Sequence, residues 1–377
     1  MRRSFINLEP YYNSGVEKMN VNVEANLASR PKLQDFKNYN RSEAILKKLY
    51  SMLYGHGPGH GTFLSLPFDQ LIEHGTGHLF KWRRENPTPE EIKLTGRGCA
   101  DPRAVAELAN AGGYSAYVLH PGVAAYASNF VKPDLPLIYK IDGRLNQPDA
   151  ASIQSIIGDI KDAVNLGASA IGTSLYPGSD MIGKDMERVA AVVRKAHANG
   201  FPAVVWAYAR GEGVDNIKDT LYWTSTACSL AASMGADIIK TKYPAPVTDK
   251  NRDEYFAYIQ SQEKKVKGIE KYLEFEPEKG EKLSHEQLVE RVTYLTDAAP
   301  ESFMVVSGGP KIKGNAKEEL VEQTKVVMEG GAEGRIIGRN FWGVPMEEAL
   351  DLTSAVKEAM KDKRYQRAFS RGTFTFK

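Results

Sequence analysis

The stretch KAHANGFPAVVWAYAR (195–210), together with LAASMGADIIKTKY (230–243), decides the fold class. Each part contains the end of a helical pattern, then a glycine, then a short apolar run with no alternating polar residues. Glycine ends a helix at low cost because it tolerates the left-handed backbone conformation. An apolar run of this kind is typical of a buried parallel strand. The two parts therefore predict consecutive β-strand and helix units.

The same arrangement recurs at 107–119, 162–175 and 327–340. Helical patterns separate most of the apolar runs, so the repeat predicts an α/β chain with a (β/α)8 TIM barrel. The rival is a doubly wound open sheet, which usually has fewer strands, and no GxGxxG follows the first run. The eight predicted strands are Thr62–Asp69, Ser115–His120, Leu137–Asp142, Ser169–Leu175, Ala203–Arg210, Asp237–Lys242, Phe303–Ser307 and Arg335–Gly338.

The predicted barrel occupies residues 62–377 as a single catalytic domain, after a mostly polar N-terminal extension at 1–61. A charged stretch at 248–300, between the sixth and seventh strands, predicts a solvated helical insertion, with a lid or an oligomer contact as the alternative. Its position beside the sixth strand means that it could alter the far end of a pocket there. The basic tail at 361–377 predicts a docking or frayed segment.

The composition excludes several classes of protein. The 377 residues include 49 Lys and Arg against 47 Asp and Glu, a net charge of +2, so we expect neither nucleic acid nor a membrane as a partner. Two cysteines cannot form a disulfide framework or a four-cysteine zinc site. The N-terminus is a poor secretory signal and no apolar stretch of about 18 residues occurs. We expect a cytoplasmic protein.

The sixth strand carries a lysine within an apolar run, GADIIKTKY (235–243). Alternation places Ile238, Lys240 and Lys242 on one face. If that face is the barrel lumen, burial and the charges of Lys242 and Arg210 lower the pKa of Lys240, and a neutral amine can form a Schiff base with a carbonyl. An ion pair with a lumen carboxylate is the alternative role. Lys242 is a competing candidate, although a phosphate contact suits its outer position better.

Other strand ends carry further ionisable or aromatic side chains. On the fifth strand Trp206, Tyr208 and Arg210 alternate, so they share a face, and a tyrosine there can transfer a proton. A packed aromatic pair with a surface arginine is the alternative. Asp69, after the first strand, can hold a substrate hydroxyl or an iminium, or can cap a helix. Lys140, at the end of the third strand, is expected to contact substrate, as is Lys242.

Two glycine-containing loops follow the seventh and eighth strands, where barrels frequently bind phosphate. Backbone N–H groups without obstructing side chains and one arginine cation suit a phosphate group. The predicted phosphate-binding residues are Ser307, Gly308, Gly309, Gly338 and Arg339.

Four of the seven histidines fall close together: His56, His60, His74 and His78. A spacing of four between His74 and His78 would suit a metal ion on a helix, but two glycines between them make a regular helix doubtful. We therefore expect polar loop histidines and no metal, with a metal site as the less favoured reading.

Five motifs occur in order, each at a different strand end: FDQxxEHG (68–75), WAYxRG (206–211), GADIIKTKY (235–243), SGGPK (307–311) and GRN (338–340). Together they resemble the archaeal-type class I fructose-bisphosphate aldolases, part of the superfamily of deoxyribose-phosphate-aldolase-like Schiff-base barrels. The resemblance covers most of the chain.

The resemblance implies a lyase that needs no cofactor and reversibly cleaves fructose 1,6-bisphosphate into dihydroxyacetone phosphate and glyceraldehyde 3-phosphate. Lys240 looks like the Schiff-base lysine, Tyr208 resembles the proton-transferring tyrosine, and Asp69 resembles the aspartate near the imine. Trp206 and Arg210 resemble residues that shape the pocket and contact substrate. The two glycine loops resemble the binding site for the phosphate of the dihydroxyacetone-phosphate half. A homo-oligomer is expected by the same resemblance.

Three alternatives remain at this point. The first is a related Schiff-base barrel, an aldolase, transaldolase or thiolase that acts on another phosphorylated ketose. The second is a metal-dependent enzyme that uses the His56–His78 cluster. The third is a non-catalytic barrel scaffold, in which the lumen lysine would be paired and protonated.

Overall fold

The computed structural model describes residues 22–30, 32–33, 35–75, 98–145, 151–309, 312 and 314–367. Eight parallel strands close into a barrel in which each strand pairs with the next and the eighth pairs with the first. The predicted (β/α)8 barrel is therefore confirmed. From first to eighth the strands are Phe63–Phe68, Ala116–Leu119, Leu137–Lys140, Ala170–Leu175, Ala203–Ala207, Ile238–Thr241, Phe303–Ser307 and Gly334–Ile336.

Helices surround the barrel and also precede it. The α-helices are Val23–Ser29, Asp35–Asn38, Glu43–Tyr50, Gln70–His74, Pro102–Gly112, Pro121–Ala127, Ile160–Asn165, Ile182–Ala198, Leu221–Ser233, Arg252–Gln262, His285–Asp297, Ala316–Glu329, Arg339–Trp342 and Met346–Met360. Short 3-10 turns lie at Gly98–Ala100, Glu212–Val214, Ile269–Phe275 and Lys363–Tyr365, and a π-helical turn lies at Ser51–Gly55. A two-stranded ribbon pairs Asp142–Gly143 with Ser155–Ile156.

The helix boundaries follow from local chemistry. Gly113 ends the helix Pro102–Gly112 with φ of 61°, a left-handed conformation that costs glycine little. The helix His285–Asp297 begins with a capping box, in which the side chains of Ser284 and Gln287 each bind the other's backbone N–H.

Two apolar cores result from the alternation of side chains along each strand. On the sixth strand, Ile238 belongs to the core inside the barrel, whereas Ile239 packs against the surrounding helices. On the fifth strand, Val204 and Trp206 point inward and Val205 points outward. The predicted shared face of Trp206 and Tyr208 is confirmed, because Tyr208 packs against the same inner core.

The N-terminal segment closes the lower end of the barrel, where the strands begin. The helix Glu43–Tyr50 buries Ile45, Leu46 and Leu49 in the inner core, together with the strand-start residue Phe63. Phe36 stacks on Phe303 with ring centroids 4.3 Å apart. The described part of the extension thus packs into the barrel, because its one amphipathic helix supplies the apolar face that the open lower end requires.

A buried ion pair also ties this segment to the barrel. The Arg41 Nε atom lies 2.5 Å from an Asp237 carboxylate oxygen, and the same carboxylate contacts His197 at 2.8 Å and accepts from the Ala203 N–H at 2.7 Å. Asp237 is completely buried, so these partners satisfy a charge that would otherwise be costly to bury.

The segment between the sixth and seventh strands divides into two parts. The helix His285–Asp297 packs between the helices Leu221–Ser233 and Ala316–Glu329, so it belongs to the barrel's own ring. The remaining part carries the helix Arg252–Gln262 and the turn Ile269–Phe275, which form a separate apolar cluster with Val214, Ile217 and Trp223. This part is more buried than the predicted solvated insertion, since the aromatic residues that lie among its charges, such as Tyr255 and Phe256, are packed in that cluster.

At the C-terminal end, the described part of the tail docks on the barrel. Tyr365 and Arg367 are buried, and Arg367 lies 2.8 Å from the buried carboxylate of Glu333. Within the described residues, none of the helices combines the length and the apolar character that a membrane span requires.

Candidate active site

A cavity of about 700 Å³ opens at the upper end of the barrel, where the strands end. Parallel strands direct their carboxyl ends to one face, so side chains that follow different strands converge there. All of the predicted site residues except Lys140 line this cavity. They are Asp69, Trp206, Tyr208, Arg210, Lys240, Lys242, Ser307, Gly308, Gly309, Gly338 and Arg339.

Lys240 occupies the centre of the cavity floor. It is 5% exposed, and its ammonium lies 4.7 Å from the centroid of the Trp206 ring and 5.8 Å from that of Tyr208. Burial lowers the pKa of Lys240 to about 8, and the positive charges of Lys140 and Arg339 act in the same direction. Roughly a tenth of the amine is therefore neutral at pH 7, against about 0.03% at the ordinary pKa of a lysine. The sequence analysis predicted this lowering from burial, but named Lys242 and Arg210 rather than Lys140 and Arg339 as the contributing cations.

Asp69 faces Lys240 from the end of the first strand. One of its oxygens lies 3.9 Å from the Lys240 nitrogen, and the other accepts no hydrogen bond from another residue that the structure describes. Burial disfavours the carboxylate, but the charges of Lys240 and His120 outweigh burial and lower the pKa of Asp69. Asp69 does not use its side chain to cap the helix Gln70–His74. It is an ionised carboxylate with one oxygen directed at no described partner, which suits a substrate hydroxyl.

Tyr208, the first residue after the neighbouring strand, lies beside Lys240. Burial, and after it the nearby Asp69 carboxylate, raise the pKa of Tyr208 well above the usual 10. The phenol is therefore protonated at neutral pH, so it is a proton donor. Strand pairing places Trp206 directly opposite Lys240, and the indole N–H donates to no group in the described part of the chain.

The loops after the seventh and eighth strands meet on one side of the cavity. Asn340 joins them, since its side chain donates to the Gly308 carbonyl at 3.0 Å and accepts from the Ile312 N–H at 2.9 Å. The Gly308 N–H is already used, because it donates to the Ile336 carbonyl at 3.1 Å. No described residue accepts from the N–H groups of Gly309 and Gly338, so both are available to an anion.

Arg339 supplies the positive charge at this side. It is half-buried and its guanidinium donates to the Gly309 carbonyl at 3.2 Å. A cation beside two backbone donors suits a phosphate group.

Two further cations line the cavity from the ends of the fifth and sixth strands, and each is paired with a carboxylate. The Arg210 guanidinium lies 3.6 Å from Glu73, and the Lys242 ammonium lies 2.5 Å from Asp219. The wall between them includes Tyr243 and Ala245, which lead into the segment between the sixth and seventh strands. The far end of the cavity is thus shaped by that segment and is close to neutral in charge.

Lys140 is the one predicted substrate contact that does not line the cavity. It is 2% exposed, its ammonium is bound to the Asp142 carboxylate, and it donates to the Asp142 carbonyl at 3.1 Å. The predicted substrate contact is thus replaced by a contact with Asp142. Position at a strand end did not distinguish the two roles, because the partner Asp142 lies only two residues further along the chain and binds the ammonium inside the barrel.

The predicted histidine cluster is divided between the two ends of the barrel. His56 and His60 precede the first strand and line a hollow at the lower end, whereas His74 follows that strand and lines the upper cavity. His78 lies outside the described residues. Among the residues that are described, no three His, Cys, Asp or Glu side chains form a group suited to a metal ion.

The DeoC/LacD family aldolases match residues 63–344, which is most of the chain and includes all eight strands. The chain belongs to the DeoC/LacD family of aldolases. This family membership agrees with the predicted lyase class, and the matched range contains every residue that lines the cavity.

Individual relatives carry more specific names. A fructose-bisphosphate aldolase class 1 from Thermoproteus tenax is 28% identical over 299 residues, covering 79% of this chain and 89% of that protein. A fructose-bisphosphate aldolase class 1 from Halobacterium salinarum is 26% identical over 289 residues, covering 75% of this chain and 84% of that protein.

Solved structures share the fold. An archaeal fructose-1,6-bisphosphate aldolase, with its catalytic lysine covalently bound to the carbinolamine intermediate, superposes with a TM-score of 0.62 at 24% identity. The superposition covers 85% of this chain and the whole of that aldolase chain. A fructose-bisphosphate aldolase from Slackia heliotrinireducens gives a TM-score of 0.63 at 21% identity, covering 85% of this chain and 86% of its own.

Several residues of this aldolase site were missed by the sequence analysis. Glu73 lies within the motif EHG, but nothing in the motif indicates that it pairs with Arg210. Asp219 precedes a helix with no pattern of its own, and Gln323 lines the cavity from the middle of the helix Ala316–Glu329. Asn340 could have been found, because it is the last residue of the GRN motif.

Proposed function

We propose that the protein is a class I fructose-bisphosphate aldolase, which forms a Schiff base between Lys240 and the ketone of its substrate. The observation that carries the proposal is the buried Lys240 amine, whose pKa is lowered to about 8, with the ionised Asp69 at 3.9 Å in the same cavity. The names of the relatives from Thermoproteus tenax and Halobacterium salinarum support the choice of substrate.

The first step is the attack of the neutral Lys240 amine on the carbonyl carbon of fructose 1,6-bisphosphate. A carbon–nitrogen bond forms, the carbinolamine loses water, and a protonated imine results. Burial keeps part of the amine neutral for the attack, and the Asp69 carboxylate stabilises the positive iminium that replaces it.

In the second step the iminium accepts the electron pair of the bond between C3 and C4. The Asp69 carboxylate, one of whose oxygens has no described partner, accepts the proton of the C4 hydroxyl, glyceraldehyde 3-phosphate leaves, and an enamine of dihydroxyacetone phosphate remains on Lys240. Tyr208 is protonated at neutral pH and lies beside Lys240, so it donates a proton to the enamine carbon. The proton held by Asp69 then passes to the Tyr208 phenolate, and hydrolysis of the imine by water releases dihydroxyacetone phosphate and the Lys240 amine.

The two sides of the cavity orient the substrate. Arg339 and the N–H groups of Gly309 and Gly338 hold the phosphate of the dihydroxyacetone-phosphate half, which leaves the aldehyde half toward Arg210 and Lys242. No described carboxylate pairs with Arg339, whereas Arg210 and Lys242 each have a carboxylate partner, and this difference in charge favours that orientation over the reverse.

The test is reductive trapping. The protein is incubated with dihydroxyacetone phosphate in EDTA, reduced with borohydride and digested, and the modified peptide is identified by mass. We expect a stable adduct on Lys240. An adduct on Lys242 would support a Schiff-base reaction but identify Lys242 as the nucleophile. The absence of an adduct, together with loss of activity in EDTA, would contradict the proposal.

A second candidate is a related Schiff-base aldolase that acts on another phosphorylated ketose. The pairing of Arg210 with Glu73 and of Lys242 with Asp219 favours it. A second phosphate would have to displace these carboxylates or share the two cations with them. Cleavage rates of fructose 1,6-bisphosphate and of ketose 1-phosphates with uncharged aldehyde halves decide between the two. A homo-oligomer in the cytoplasm stays a prediction, and sedimentation in solution tests the oligomeric part.

A further inference from the structure

Arg335 is a buried arginine on the eighth strand that pairs with no carboxylate of the described residues. Three other buried arginines, Arg30, Arg291 and Arg367, lie 2.6 Å, 3.2 Å and 2.8 Å from a carboxylate oxygen. The Arg335 side chain is completely buried, and its described hydrogen-bond partners are all uncharged. A buried charge without a counter-charge is costly, so this cation destabilises the protein when no anion is bound.

Three neutral acceptors hold the guanidinium of Arg335 in place. It donates to the Val306 carbonyl at 3.3 Å, to the Thr324 hydroxyl at 3.4 Å and to the Gln323 side-chain oxygen at 3.1 Å. Burial lowers the pKa of Arg335 to about 10, so the group keeps its proton at neutral pH. These contacts supply hydrogen bonds but no negative charge.

The guanidinium lies behind the phosphate side of the cavity. Its acceptor Gln323 lines the cavity, as do Ser307, which directly follows Val306, and Gly338, which comes three residues after Arg335. A rise of about 3.3 Å per residue places the Gly338 N–H on the order of 10 Å from Arg335. Because Arg335 is sealed from solvent, water screens its charge little over this distance.

Two nearby groups leave this charge in place. The Tyr243 phenol, whose pKa is raised to about 12 by burial, is neutral at pH 7. Glu319 is reached only through the amide of Gln323, whose nitrogen donates to the carboxylate at 3.0 Å, and Glu319 is exposed to the water that screens it. Within the described part of the chain, the charge of Arg335 thus remains available to a bound anion.

We propose that Arg335 is a second cation of the phosphate side: its buried charge attracts the phosphate that the two glycine loops hold, and the bound phosphate in turn compensates that charge. Arg335 acts through space and does not touch the substrate. It therefore raises the preference of the site for a phosphorylated ketone over an unphosphorylated one. The inference rests on the proposed function only in placing a phosphate at those two loops.

The test measures phosphate binding and stability in the full-length protein. Arg335→Met removes both the charge and the hydrogen bonds, whereas Arg335→Gln removes the charge and retains an amide donor if the Met variant does not fold. Arg30→Met is the matched control, because it removes a buried arginine whose partner Asp297 is exposed. Titration calorimetry with inorganic phosphate gives the dissociation constant, and denaturant unfolding without phosphate gives the stability.

We expect both neutral variants of Arg335 to bind inorganic phosphate about tenfold more weakly, as charges on the order of 10 Å apart predict at an effective dielectric constant of about 20. The Arg30→Met variant should keep the wild-type dissociation constant. Without phosphate, Arg335→Met should be at least as stable as the wild type, since an unpaired buried charge has been removed. A merely structural arginine would instead lower the stability and leave the dissociation constant unchanged.

Borohydride trapping separates this inference from the proposed function. In the Arg335→Gln variant, the half-saturating concentration of dihydroxyacetone phosphate should rise about tenfold, whereas dihydroxyacetone, which carries no phosphate, should be trapped at the wild-type rate. An unchanged affinity for phosphate in both neutral variants overturns the role of Arg335 alone. Failure of the wild-type protein to form any lysine adduct with dihydroxyacetone phosphate overturns the proposed function.

Discussion

The two ends of the barrel are built from the same strands but carry opposite chemistry. At the lower end, the strand starts Phe63, Ile138 and Phe303 pack with Leu49 and Phe36 of the N-terminal segment, and the space is filled with apolar side chains. At the upper end, the same strands lead into a cavity of about 700 Å³ in which ionisable side chains converge.

The sixth strand shows how one segment serves both ends. Ile238 is fully buried in the lower core, and two residues later, on the same face, Lys240 reaches the cavity floor. The apolar core and the reactive amine are thus separated by two residues along one strand, which is one period of the side-chain alternation. Substitutions at the upper end should change the reaction, and substitutions at the lower end should change the free energy of unfolding.

The largest expected effect is at Lys240. Lys240→Met removes the amine that forms the imine, so turnover should fall by at least about 10³-fold while circular dichroism stays that of the wild type. Lys242→Met is the matched control, since Lys242 pairs with Asp219 at the cavity wall, and it should retain imine formation. Substantial activity in the Lys240→Met variant would show that another residue is the nucleophile.

The next effect concerns proton transfer by Tyr208. Tyr208→Phe keeps the aromatic ring but removes the phenol, so turnover should fall about 10²–10⁴-fold. Borohydride trapping of dihydroxyacetone phosphate should change only a few-fold, because imine formation precedes the step that needs this proton. A loss of trapping equal to the loss of turnover would assign Tyr208 to an earlier step.

The lower end should respond in stability alone. Leu49→Ala removes a fully buried side chain from the plug and should lower the free energy of unfolding by about 2–5 kcal/mol. The kcat of the folded fraction should stay unchanged. Lys47→Ala, on the exposed side of the same helix, is the control and should cost only about 0.5 kcal/mol through its pair with Glu43. Denaturant unfolding of both variants measures the difference.

The smallest expected effect is the pH dependence of imine formation at Lys240. The pKa of Lys240 is lowered to about 8, so the neutral amine becomes more abundant as pH rises. The rate of imine trapping should therefore increase about tenfold from pH 6 to pH 7 and level off above pH 8. A rate that keeps rising to pH 10 would mean that the reacting amine has an ordinary lysine pKa.

The sequence predicted the barrel because each repeat of helix, glycine and apolar run can be recognised within a short segment of the chain. The same holds for Trp206 and Tyr208, whose shared face follows from alternation along one strand. Asp219 and Glu73 could not be found in this way. Their roles depend on ion pairs with Lys242 and Arg210, which lie far away in sequence.

The sequence by itself determined the eight strands and placed a lysine on the inner face of the sixth, because side-chain alternation has a fixed period of two. Only the tertiary structure decided which charges surround that lysine. Lys140 is the last residue of its strand and Lys242 directly follows its own, yet Lys140 contacts the Trp206 indole and Asp142, while Lys242 lines the cavity beside Asp219. The height and tilt of each strand in the closed barrel determine which charges each lysine contacts. Height and tilt depend on all eight strands together and cannot be read from any single segment.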